Sequence, residues 1–140
     1  MRVRCIQQRP SETQVTALGS SYYRSQSFHL TVGKEYVAIG LDLAIDSNVH
    51  GNGVWIHLVS DHGNLIWAPL ALFEVTDPRV SKYWEARVFD EGLKLWPPSL
   101  FRDSYHEDLA DGVAEVEDDF RRVRARLEEE AYGHADTHAP

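Results

Sequence analysis

The sequence predicts an α+β fold, a small curved antiparallel sheet or SH3-like barrel with a C-terminal amphipathic helix. Three observations predict it. Residues 37–75 hold short apolar runs separated by Gly/Asn turns, the pattern of an antiparallel meander. Two more short runs, 85–89 and 93–96, flank Asp90-Glu91-Gly92 as the arms of a hairpin would. Val113, Val116, Phe120, Val123 and Leu127 recur at helical spacing and set one apolar stripe along a helix.

Taken in order, residues 2–8 read as a short strand with Val3 and Cys5 on one side. Residues 11–27 are rich in Ser, Thr and Gln, show no sustained period, and read as a loop or extended arm anchored by Tyr22 and Tyr23. Val37, Ile39, Leu41 and Leu43 alternate with Ala38, Gly40 and Asp42, which marks a strand with one buried face. His50-Gly51-Asn52-Gly53 is a turn, since Gly and Asn accept positive φ. The strand 54–59 puts Val54, Ile56 and Leu58 on one face and Trp55, His57 and Val59 on the other. Asp61-His62-Gly63-Asn64 turns the chain into a third strand, 65–68, which ends at Pro69 because proline cannot donate to a ladder. Residues 72–75 are extended again, and Asp77-Pro78 opens a turn anchored by Tyr83 and Trp84. The last helix has Asp111 as its N-cap, early acids Glu115 and Glu117 that suit the helix dipole, and Gly133 as its stop. Its i,i+4 pairs are Glu117–Arg121, Asp118–Arg122, Arg124–Glu128 and Arg126–Glu130. Residues 1–133 thus read as a single domain and 134–140 as a flexible tail.

Charge is placed unevenly. The net charge is −8, and residues 101–140 hold twelve Asp/Glu against five Arg. Such a surface repels nucleic acid and suits a basic protein partner, or serves solubility. Residues 37–75 contain no Lys or Arg, so the sheet lacks the cations that nucleic-acid binding would need. The single Cys5 rules out an intramolecular disulfide and suits a reducing compartment. Arg2 and Arg4 are followed by no apolar run of signal-peptide length, and no run approaches a membrane span. The expectation is a cytoplasmic protein without membrane or nucleic-acid partners.

No residue pattern points to catalysis. Ser60-Asp61-His62 holds the residue types of a triad, but neighbours at a strand end point in different directions and read as a polar turn. His50, His57 and His62 lack a fixed metal-ligand spacing, and the turns holding His50 and His62 lie at opposite ends of one strand. His134 and His138 sit in a Gly/Ala/Pro tail. Glu107 with Asp108, and Glu117 with Asp118 and Asp119, read as solvated helix faces, and Cys5 as a core residue. No catalytic residue, cofactor or metal ligand is therefore assigned.

Trp55 either projects outward beside His57 as a partner anchor, or is covered by the C-terminal helix or the N-terminal arm. The residues assigned to a partner surface are Trp55 and His57 for apolar anchoring, with Glu115, Glu117, Asp118, Asp119, Glu128, Glu129 and Glu130 for charge.

Gly33-Lys34-Glu35-Tyr36-Val37, the run Trp67-Ala68-Pro69-Leu70-Ala71-Leu72-Phe73-Glu74-Val75, and Trp84 together resemble small bacterial proteins with an SH3-like barrel, of the toxin-immunity type. The resemblance covers about half of the chain through structural motifs and implies no active residue. It implies a non-catalytic protein-binding module that neutralises a toxin through an acidic surface. The alternatives are a regulatory or scaffolding domain whose helix stripe pairs in a homodimer, and a small metal- or ligand-binding protein using His57, Asp61 and His62.

Overall fold

The computed structural model describes residues 1–19, 27–47 and 51–137, with side chains to Gly133. Tyr22, Tyr23 and His50 lie outside the described residues.

The first strand, β1 (Arg2–Cys5), is followed by a helix, α1 (Glu12–Leu18), where the sequence reads as a loop. The correction has a local cause. Ser11 accepts from the backbone of Gln14 and the Gln14 side chain accepts from Ser11 N–H, a reciprocal cap that satisfies two otherwise orphaned donors. Val15 and Leu18 give the helix a short buried face, and Gly19 ends it in the left-handed conformation.

The run from Val37 to Leu43 is also not one strand. β2 (Glu35–Val37) pairs with β1, whereas β3 (Gly40–Ser47) pairs elsewhere. Between them the chain changes sheets, with Ala38 N–H donating to Met1 and Ile39 N–H to His57. Two separate antiparallel sheets result, and the described strands close no barrel. The three-stranded sheet has the order β2-β1-β6, where β6 is Phe73–Asp77. Arg2 bridges Glu35 at 3.1 Å, and Arg79 holds Asp77 through two 2.8 Å hydrogen bonds that pull its carboxyl well below the usual range.

The five-stranded sheet has the order β5-β4-β3-β8-β7, with β4 (Gly51–Val59), β5 (Leu65–Pro69), β7 (Glu85–Phe89) and β8 (Gly92–Trp96). The expected meander is its β3-β4-β5 half and the expected hairpin its β7-β8 half. Gly51 and Gly53 lie inside β4 rather than in a turn, and the register of β3 on β4 shifts between Ala44 and Ser47.

Two more helices follow, α2 (Tyr105–Ala110) and α3 (Ala114–Thr137). Asp111 closes α2 instead of capping α3, whose first-turn N–H groups, those of Val116 and Glu117, donate to the carbonyl of Val113. The helix does not stop at Gly133 and runs on to Thr137. Arg124–Glu128 is paired as expected at 2.8 Å, whereas Arg121 and Arg122 reach Asp118 and Asp119 at i,i+3. Glu130 accepts the backbone N–H of Lys82 and so ties α3 to the segment before β7.

The core lies in two clusters on either side of the five-stranded sheet. One gathers Val3, Leu18, Phe28, Tyr36, Trp55, Ile56, Leu58 and Phe73 among the sheets and α1. The other gathers Ile39, Trp96, Leu100, Tyr105, Val116, Phe120, Val123 and Leu127 under α2 and α3. Val116, Phe120, Val123 and Leu127 of the predicted stripe are therefore core, whereas Val113 is 40% exposed.

Two glycines separate backbone need from crowding. Gly92 has φ +142°, and a Cβ there would meet the Leu43 carbonyl oxygen at 1.8 Å, while Gly63 has φ +83° with nothing near. Gly92→Ala is expected to destabilise the fold by about 3 kcal/mol or more, and Gly63→Ala by about 1 kcal/mol. Urea denaturation of both variants measures the difference, and equal losses would contradict the packing described for the hairpin.

Candidate functional site: an imidazole pair under the helices and an acidic corner above them

The most unusual side-chain cluster is built by three strands and α2. His57 on β4 lies opposite Trp67 on β5, and their rings stack at 4.4 Å and 10°. Gly40, the β3 neighbour of His57, has no side chain because a Cβ there would strike Trp96 Cδ1 at 2.8 Å. Trp96 thus lies 5.4 Å from His57. From above, α2 inserts His106, whose Nε2 stands 3.2 Å from Nε2 of His57. One ring of this pair must donate and the other accept.

Burial decides the chemistry of the cluster. His57 and Trp55 are both 0% exposed, which overturns the outward anchor: α1 packs on β4 beside Trp55, and Trp67, Trp96 and His106 enclose His57. Burial, with Lys94 as a lesser contributor, brings His106 down to about 4, so its ring is neutral at pH 7. Asp42, also buried, accepts the indole N–H of Trp96, and desolvation raises its carboxyl above the usual range. Tyr105 donates to Asp119 at 2.7 Å and joins α2 to α3. A shallow groove of about 230 Å³ opens beside the cluster, lined by Phe89, Lys94, Trp96, Phe101 and His106. The described side chains here form a stacked, hydrogen-bonded core.

The residues of the triad-like string have separate tasks. Asp61 accepts from Thr31 at 2.6 Å, Lys34 at 2.6 Å and Tyr36 at 2.9 Å, and the Lys34 bond leads in holding its carboxyl at about 2. Ser60 Oγ accepts the backbone N–H of His62, whose ring stacks on His29 at 4.0 Å. His57, Asp61 and His62 are thus not brought to one point, and among the described residues no three His, Cys, Asp or Glu side chains form a metal-holding group.

The seven carboxylates of α3 assigned to a partner surface divide. Asp119 is taken by Tyr105, Glu128 by Arg124 and Glu130 by the Lys82 backbone, while Asp118 pairs with Arg121 on the surface. Glu115, Glu117 and Glu129 are exposed, with no ion pair among the described residues. Sequence reading missed where the charge concentrates. Residues 103–119 hold eight Asp/Glu and no Lys or Arg, and α2 and α3 fold them into one corner, adding Asp103, Glu107, Asp108 and Asp111 to the assigned acids. The signal was in the chain as an uninterrupted acidic segment spanning two helices. By contrast, four arginines separate this corner from Glu128–Glu130 along α3.

Because the folded-state value of His106 is below its ordinary 6.5, the unfolded chain binds the extra proton between pH 6.5 and 4. Its contribution is complete above pH 6.5 and is lost as pH falls toward 4, by about 3 kcal/mol at most. Urea midpoints measured across this window should fall with acid in the native chain, and less steeply in His106→Phe. Parallel curves would show that the imidazole pair does not govern the response.

Comparison with known protein families, with curated proteins and with solved structures finds no match to this chain.

Proposed function

We propose that the chain is a non-catalytic protein-binding module that takes a basic partner on the acidic α2–α3 corner, in the manner of an immunity protein blocking a toxin. The observation that carries the reading is the run of eight carboxylates without a cation over residues 103–119, folded onto two packed helices. Exposed Glu107, Asp111, Glu115, Glu117 and Asp118 supply a negative field that steers a positively charged surface toward the helices. Tyr105 and Ser99 fix Asp119 at the centre of the corner, so the acids are carried on a positioned scaffold.

The assignments of Trp55 and His57 to the partner surface are not kept in this proposal, because both are enclosed. Glu129 extends the surface along α3. The likeness to SH3-like modules belongs to the same proposal and rests on short strands joined by tight turns. A cytoplasmic location is also part of it, supported by one buried thiol and by the fact that none of the described helices is long and apolar enough to cross a membrane.

Triple reversal of Glu115, Glu117 and Asp118 to Lys is expected to slow association with a captured basic partner by about ten-fold or more at low salt. Reversal of Glu128, Glu129 and Glu130 should do less, because arginines already neutralise that end of α3. Surface plasmon resonance at about 50 and 500 mM salt reads both. Equal rates for native and corner-reversed protein would remove the acidic corner from the mechanism.

A further inference from the structure

We propose that the open edge of β7 pairs antiparallel with β7 of a second copy, joining two five-stranded sheets into one. This goes beyond the binding role of the acidic corner and uses a different surface.

Three observations lead to it. First, β7 pairs only with β8 among the described strands and all five of its residues are exposed, so its outer edge is unpaired. Second, the edge continues an apolar ladder that the described residues cover only in part, Val54 and Leu93 being half-buried. Val88 lies opposite Leu93, Leu93 opposite Leu43 and Leu43 opposite Val54, so the four side chains share one face. Val88 is 84% exposed, Leu43 is 37% exposed, and Ile45, two residues beyond Leu43 on β3, is 69% exposed. Third, the strand is complementary in charge to itself. Glu85 and Arg87 stand two residues apart around Ala86 and bridge at 2.7 Å within one chain.

Backbone geometry selects the register. The two-residue loop Asp90-Glu91 makes Phe89–Gly92, Arg87–Lys94 and Glu85–Trp96 the hydrogen-bonded pairs of the hairpin. Ala86 and Val88 then aim their N–H and C=O groups outward. A two-fold axis through Ala86 lets the two Ala86 backbones exchange hydrogen bonds and sets Glu85 opposite Arg87 of the partner on both sides. An axis through Arg87 would place the two guanidinium groups against each other, which disfavours it. Arg87 is already held over the Phe101 ring at 4.2 Å, so little side-chain freedom is lost on pairing.

The test is sedimentation velocity of the full chain up to about 1 mM, with amide hydrogen exchange at the same concentrations. A reversible dimer with concentration-dependent protection of the Ala86 amide is expected. Arg87→Glu should weaken the dimer about ten-fold, and Glu85→Arg with Arg87→Glu should restore it. Ala86→Pro should leave the monomer folded, because that N–H is not used by β8, and should abolish pairing. A chain that stays monomeric at about 1 mM overturns the proposal. So does a dimer that survives Ala86→Pro, or one indifferent to Arg87→Glu. Loss of the dimer leaves the salt-dependent binding of the acidic corner unaffected, so the two ideas fail separately.

Discussion

The fold depends on burying β4 from both sides. Its central residues, Trp55, Ile56, His57 and Leu58, are all fully enclosed, so the strand cannot serve as the solvent-facing wall of a two-layer domain. A second sheet and α1 enclose Trp55, Ile56 and Leu58, while α2 and α3 close over His57 and its tryptophan neighbours. Buried polar groups in such a strand must find partners, and they do so through a specific geometry. His57 meets His106, and the Asp42 carboxylate opposite Trp55 on the next strand meets the Trp96 indole.

Much of this was legible in the chain. The β3-β4-β5 meander, the β7-β8 hairpin and the α3 stripe follow from period and turn chemistry, and local pattern reports local pairing well. What pattern could not report is which face the rest of the chain covers. Alternation on β4 separated Ile56 from His57, but Trp55 is buried in the cluster that holds Ile56, and assigning one face to solvent required knowing that α2 carries His106 back across the sheet from about fifty positions away. The break at Ala38 and Ile39 escaped notice for a similar reason, since an alternating run looks the same whether or not its strand changes partners midway. By contrast α1 was readable, because Ser11 and Gln14 stand at capping-box spacing; the polar composition of the segment drew attention away from them.

The candidate site was legible in its charge and hidden in its anchors. Acidic residues could be counted along α3, yet their partners separate those that hold the fold, Asp119, Glu128 and Glu130, from those that face outward. The aromatic residues ran the other way. Alternation left Trp55 either a surface anchor beside His57 or a covered residue, and it is covered, while exposed apolar area gathers on Val88, Ile45 and Leu43, aliphatic residues with no distinguishing motif.

The two sheets also differ in how far apart their strands lie along the chain. Three of the four pairings in the five-stranded sheet are hairpins between successive strands. The three-stranded sheet has none, since β1 must find β2 some thirty residues on and β6 some seventy on. Closing those long loops costs entropy before any contact repays it, which makes the small sheet the late step of folding. The Arg2–Glu35 bridge and the Asp77–Arg79 pair then act as a latch on an already formed body. Their loss would quicken unfolding while leaving the folding rate nearly unchanged, a signature visible in the two limbs of a chevron plot.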